Sequence, residues 1–217
     1  MTGPGPDPAR LDALRAAIAQ LPPGGASAAQ LDALGACLAA LAPEDVGLAR
    51  HAGPLQAGGR ARGPQGWWSV PILESPLAEL SLFLLPAGAV IPRHDHPDMH
   101  VWSRLLLGRV RVEAWDWVAP PPSAVARPAG VVTLEPGAPP LRLDPLRGNV
   151  HQLTAEQPSA LLDLFAPPYD LGGARPCRYW GLGPREPDGP RGPDGPQDPD
   201  GPRDSDDTVR LLFLRQA

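Results

Sequence analysis

Residues 91–110, "IPRHDHPDMHVWSRLLLGRV", hold His94, His96 and His100 within seven positions, although the whole chain has five histidines. Residues two apart on an extended strand share a face, so His94 and His96 are expected to project into one space. Two imidazoles side by side make half a metal site. Pro97 interrupts strand pairing just after His96, which leaves His100 open between a pocket and a rim position. A third ligand must come from elsewhere, and "GNVHQLTA", residues 148–155, sets His151 inside another β-favouring run. His51, in a polar connection, reads as a surface residue.

Working outward, short β-favouring runs extend from Trp67 to about Tyr179: "WWSVPIL", "AELSLFLL", "HVWSRLLLG", "VRVEAWDWV", "GVVTL", "GNVHQLTA" and "SALLDLF". Turn clusters such as "PAGA" and "EPGAPP" separate them at intervals of about ten to fifteen residues, the pattern of an all-β barrel or sandwich. Gly88, five residues, His94-x-His96 and then Gly108 follow the spacing of the first cupin motif. "DPLRGNVH", with Pro145, Gly148 and His151, approximates the second. The expected fold is therefore mainly β, a cupin-type (double-stranded β-helix) barrel. Where ordinary cupins carry a glutamate ligand this chain has Val101, so the expected metal site is three neutral imidazoles without a carboxylate. Fe(II) held by uncharged ligands keeps its dipositive charge and leaves positions for anionic or dioxygen-derived ligands. A thiolate substrate suits such a site.

The barrel run, placed at 60–183, is preceded by "ARLDALRAAIAQL" and "SAAQLDALGACLAAL", whose leucines recur at helical spacing. Ser27 is a candidate N-cap, and Cys37 falls on the apolar stripe. Residues 1–45 thus read as a helical hairpin packed on the barrel, and 43–66 as a polar, Gly-rich connection. Residues 184–207 repeat Pro-Asp-Gly without a large apolar side chain and read as a disordered insertion. "TVRLLFLRQA", within 208–217, regains a strand pattern expected to dock back onto the barrel.

Composition narrows the function. All nineteen basic residues are Arg, which removes lysine-based Schiff-base chemistry and a P-loop. The net charge of -5, without a basic run, argues against a nucleic-acid partner. No apolar stretch is long enough for a membrane helix, and the start "MTGPGPDPAR" lacks a secretory pattern. Two cysteines in unlike contexts fit a reducing compartment. The expected location is the cytoplasm, with the nucleus as an alternative, and the expected state is a monomer.

"IPRHDHPDMHVWSRLLLGRVRVEAWDW" closely resembles the corresponding stretch of the plant cysteine oxidases. "NVHQLTAEQPSALLDLFAPPYD", followed by "CRYW", resembles both these enzymes and the cysteamine (2-aminoethanethiol) dioxygenases of animals. The likeness runs from about Trp67 to Trp180. It implies a small barrel holding Fe(II) through His94, His96 and His151, with both atoms of O2 used to convert a thiol to a sulfinic acid. The substrate implied is the N-terminal cysteine of a peptide or protein, in an oxygen-sensing step toward N-degron degradation, or alternatively cysteamine, giving hypotaurine. A non-catalytic metal-binding cupin is the reading from a different class.

Asp163, an acidic residue inside the apolar run "LLDLF", would be costly there unpaired; holding a substrate amine or a ligand imidazole is its expected role. Tyr169 resembles the family's tyrosine near the iron, with a packed rim aromatic as its alternative. Cys177 and Tyr179 occupy positions that the resemblance associates with a thioether crosslink. Arg104 stands at a basic position of the plant forms, open between a structural ion pair and a substrate role. His100 matches the animal enzymes. Asp98 replaces a family glycine, so a left-handed turn is expected on a residue that tolerates it better than most.

Overall fold

The computed structural model describes residues 5–56, 66–120, 122–123, 125–170, 172–183 and 209–214. Strand β9 (Ser159–Ala166) is buried along its whole length, and its neighbours explain why. It lies between β2 (Glu79–Leu85) and β4 (His100–Leu107) in a five-stranded sheet with β1 (Trp68–Glu74) and β7 (Leu141–Leu143) at the edges. Ala160, Leu162, Leu164 and Ala166 point to one side, into a core shared with the helices. Leu161 and Phe165 point to the other. A strand covered on both faces reads as a continuous apolar run, which is what "SALLDLFA" is.

The outer cover is helical. Helices α1 (Pro8–Ala19) and α2 (Ala28–Ala40) bury Leu14, Ile18, Leu31, Leu34 and Leu38 against Leu80, Leu82, Leu84 and Trp102 of the sheet. Ser27 caps α2 as expected: the Gln30 N–H donates to Ser27 Oγ, and the Ser27 N–H donates back to the Gln30 side chain. Such a cap contributes about 1 kcal/mol. Cys37 is half-buried against the same core.

The stretch read as a polar connection instead contains a third helix, α3 (Leu48–Gln56). Leu48, Ala52 and Leu55 are buried at helical spacing, but Gly53-Pro54 in their midst reads in sequence as a stop. His51 sits half-buried on this helix.

The second sheet is a ring, in the order β10-β11-β6-β5-β8-β3, made of β3 (Val90–His94), β5 (Val110–Trp117), β6 (Val125–Leu134), β8 (Val150–Ala155), β10 (Tyr179–Leu182) and β11 (Val209–Leu214). Its interior holds Trp115, Trp117, Ala126, Val150, Trp180 and Leu211, contributed by five of its strands. The sixth, β3, supplies Arg93, whose buried guanidinium lies 4.1 Å from the Trp115 ring centre. Strand alternation explains the two faces of "VRVEAWDW": the irregularity beside Ala114 and Trp115 adds its extra residue to β6 and leaves the β5–β8 register unbroken. Val110 and Val112 face the first sheet, whereas Trp115 and Trp117 fill the ring.

Between the ring and the five-stranded sheet, Leu85, Ile91, Leu105, Val112, Leu153 and Leu161 plug one end of the space. Gly108 closes that end. Its φ is +86°, and a Cβ there would lie 2.3 Å from the Pro158 carbonyl oxygen. The mainly β, cupin-type barrel with a helical N-terminal region is therefore present. Strand β11 pairs with β10 and β6, which joins residues 209–214 to the ring. The proposed 184–207 insertion lies outside the described residues.

Candidate metal centre

Three histidines at or just beyond strand ends converge at the other end of the space. His94 is the last residue of β3, and its Cα partner across the sheet is His151 of β8. His96 completes the group, and one ligand-capable atom from each ring lies within 4.8 Å of the others. Strand alternation does not place His96, contrary to expectation, because β3 ends two residues earlier and is irregular between Ile91 and His94.

A side chain outside the expected site does that work. Asn149, 1% exposed, donates from Nδ2 to the His96 carbonyl (2.8 Å) and accepts the His96 N–H at Oδ1 (3.3 Å). The Trp117 indole N–H also donates to Oδ1, at 3.1 Å. Asn149 thus clamps both backbone groups of one histidine from a position two residues before another. The only sequence signal was its place in "NVH". The turn after His96 uses Asp98 at φ 55°, the one non-glycine with positive φ among the described residues, as the substitution at that position led us to expect.

The hydrogen bonds set the tautomers. His94 Nδ1 lies 2.8 Å from the Pro92 carbonyl, which can only accept, so Nδ1 carries the proton and Nε2 a lone pair. Tyr169 O–H donates to the Asp95 carbonyl at 2.8 Å, and its oxygen lies 2.6 Å from His96 Nδ1. His96 Nδ1–H is then the donor, and His96 Nε2 is also free. That nitrogen lies 3.3 Å from His151 Nε2. His151 Nδ1 is buried without a partner among the described residues.

Burial holds all three rings neutral: His94 is lowered to about 4, and His96 and His151 are lowered well below the ordinary value, their proximity adding to the effect. Neutral imidazoles with converging ring nitrogens are the donor set a divalent cation takes. The residues fit a metal.

The surroundings divide by strand face. Val101, fully buried, points inward with Phe165 and Leu143, so the position of the usual acidic ligand is apolar. Phe165 stacks on His96 with ring centres 5.8 Å apart. Asp163 lies on the same face of β9 as Phe165, level with Ser81 of β2 and Ser103 of β4. Ser103 hydrogen-bonds its carboxyl group, while Oδ1 is buried without a partner among the described residues. Burial pushes this carboxyl up to about 7. The Cys177 thiol shares hydrogen bonds with Tyr169 and Tyr179, and burial raises its pKa. Tyr179 lies opposite His94, ring centres 6.0 Å apart.

Two candidate pocket residues face away. On β4, His100 and Arg104 share the parity of Trp102, which packs among the helices. His100 therefore lies beside the Trp102 ring, at 6.2 Å. Arg104 donates to the carbonyls of Leu38 (2.9 Å) and Leu41 at the end of α2, a helix cap. Neither is a pocket residue. Sequence spacing placed them near the histidines but could not say which face of β4 they take.

Plant cysteine oxidase 2 of Arabidopsis thaliana is 33% identical over 144 residues, covering 64% of this chain and 52% of that protein. 2-Aminoethanethiol dioxygenase of Mus musculus is 35% identical over 132 residues, covering 50% of this chain and 52% of that protein. The chain spans about half the length of the curated relatives it matches. Among solved structures, KdgF from Halomonas sp. aligns over 51% of this chain and 86% of its own, with 20% identity and a TM-score of 0.40. The PCO_ADO family model matches residues 37–194, a span that takes in β1 to β10 and all three histidines, and the chain therefore belongs to the PCO_ADO family.

Proposed function

We propose that this protein is a non-haem Fe(II) thiol dioxygenase that converts the N-terminal cysteine of proteins to cysteine sulfinic acid, an oxygen-sensing step toward N-degron degradation. The observation that carries this reading is the pairing of three neutral, buried imidazoles, joined by no carboxylate among the described residues, with a buried carboxylate that has an oxygen unpartnered among those same residues. His94, His96 and His151 would hold the metal. When bound, Fe(II) supplies the redox chemistry by which both atoms of O2 reach the thiol sulfur.

The chain's own residues do the rest. Asp163 offers Oδ1 to a primary ammonium, and its ionised form is the productive one. Ser103 holds the other side of that carboxyl group. Tyr169 fixes the His96 ring and joins it to the Asp95 carbonyl. Met99, Val101, Leu143 and Phe165 exclude water from one wall, which strengthens the ammonium–carboxylate contact.

Cysteamine carries the same ammonium and thiol, and the comparable likeness to mouse 2-aminoethanethiol dioxygenase supports it as the second reading. Iron-loaded protein offered a Cys-initiated peptide and cysteamine in separate reactions, with products followed by mass spectrometry, distinguishes the two. The proposal expects the peptide to gain two oxygen atoms with the larger kcat/KM. A peptide turned over no faster than cysteamine would overturn the protein-substrate reading.

A further inference from the structure

Glu79 is not used by the chemistry above, yet it lies on the face that builds the site. On β2, Leu80, Leu82 and Leu84 pack among the helices, so Glu79, Ser81, Phe83 and Leu85 point the other way. Register places Glu79 opposite Phe165, the residue stacked on His96, and Ser81 opposite Asp163. The Ser81 hydroxyl donates to Glu79 Oε1 at 2.6 Å, which draws the Glu79 carboxylate toward the row of Asp163. Across β1 the partner of Glu79 is Glu74.

Exposure grades along this path. Glu74 is exposed, Glu79 is half-buried and Asp163 is 6% exposed, with an oxygen that lacks a partner among the described residues. The inward side of β1 at Ser69 and Pro71 is also exposed, so this sheet edge extends beyond the cover of the ring. At the opposite end the apolar plug around Leu105 and Leu161 closes the space. An acidic track thus runs from an open edge to the buried carboxylate beside the metal centre.

We propose that Glu79 is a specificity-determining residue, which selects Cys-initiated substrates with a basic side chain at the second position. This rests on the function proposed above, in which Asp163 takes the α-ammonium. Glu79 and Asp163 are diagonal cross-strand neighbours, about 7–8 Å apart, a span that the ammonium and the side-chain cation of an extended Cys-Lys or Cys-Arg start can bridge. An acidic second residue meets like charge there.

The test uses iron-loaded protein with peptides of one length beginning Cys-Lys, Cys-Gly and Cys-Glu, and with cysteamine. Wild type is expected to favour Cys-Lys over Cys-Glu by about tenfold in kcat/KM, a size usual for partly exposed charge pairs in a binding site. Anaerobic titration is expected to give the same order in Kd. Glu79→Gln should reduce the ratio to about twofold through KM, Glu79→Asp should restore much of it, and Glu79→Lys should reverse it. Asp12→Asn, an equal charge change on the remote face of α1, should leave the ratio alone. A ratio unchanged in Glu79→Gln and Glu79→Lys overturns the assignment while leaving the thiol dioxygenase reading intact. Absence of oxygen incorporation into every thiol, cysteamine included, overturns both.

Discussion

Asp95 and Arg178 hold each other through backbone and side chain alike. The Asp95 N–H donates to the Arg178 carbonyl (3.1 Å), the Arg178 N–H donates to Asp95 Oδ1 (3.0 Å), and the Arg178 guanidinium lies 3.4 Å from Oδ2. This couples the turn between two metal-site histidines to the segment carrying Cys177 and Tyr179. Asp95 is 1% exposed, and burial pushes its pKa up to about 6 against the pull of Arg178.

Removing the cation should therefore harm more than neutralising the carboxylate. Arg178→Ala leaves a buried carboxylate with its charge partner gone, at a cost of about 2 kcal/mol, whereas Asp95→Asn keeps an acceptor for the Arg178 N–H. Urea unfolding at pH 8 is expected to rank Arg178→Ala below Asp95→Asn. The reverse order would contradict this account of the pair.

Iron retention should follow the face a histidine occupies. His151→Ala removes one of three converging donors and is expected to abolish retention of stoichiometric iron, measured by mass spectrometry of the metal after desalting. His100→Ala, on the helix side of β4, should retain it. Loss in both variants would contradict the assignment of faces.

Asp163 predicts opposed pH effects on activity and stability. Its folded-state pKa of about 7 is above the unfolded value, so the folded state holds the proton more tightly. Its stabilising effect is full below about pH 4 and is lost as pH rises to about 7. Asp163→Asn should consequently gain thermal stability relative to wild type across that window, by an amount on the order of 4 kcal/mol at most. In wild type, kcat/KM should rise with pH through about 7 as the carboxylate forms.

Arg104→Ala should affect stability and leave substrate affinity alone. Two carbonyls at the end of α2 lose their donor, a cost of about 1–2 kcal/mol, read as a lower Tm. An unchanged KM for the preferred thiol is the second part of the expectation. A raised KM with an unchanged Tm would restore a substrate role for Arg104.

How much of this was legible in the sequence depended on whether a local pattern carried it. The helical hairpin was visible because Leu14, Ile18, Leu31, Leu34 and Leu38 repeat at one period and Ser27 caps the second helix. Helix α3 was hidden because Gly53-Pro54 outweighs three apolar positions in a short segment. His94 and His151 sit on strands, as read, but His96 reaches the site through contacts with Asn149 and Tyr169 from more than fifty residues away. No periodicity encodes such a contact. His100 and Arg104 stayed open for a related reason: a sequence gives the alternation of β4 but not which phase faces the metal site. Asp163 was found because a lone carboxylate in an apolar run is costly, and its position beside Ser81 and Ser103 emerged only with the register.

The most direct test of the central claim follows the oxygen atoms. Iron-loaded protein is incubated with a Cys-initiated peptide under isotopically labelled O2 in ordinary water, and the intact product is weighed. Thiol dioxygenation at the three-histidine site predicts two labelled oxygens on the N-terminal cysteine, with the gain absent in His151→Ala. A peptide that stays unmodified, is only converted to a disulfide, or takes its oxygen from water would contradict it.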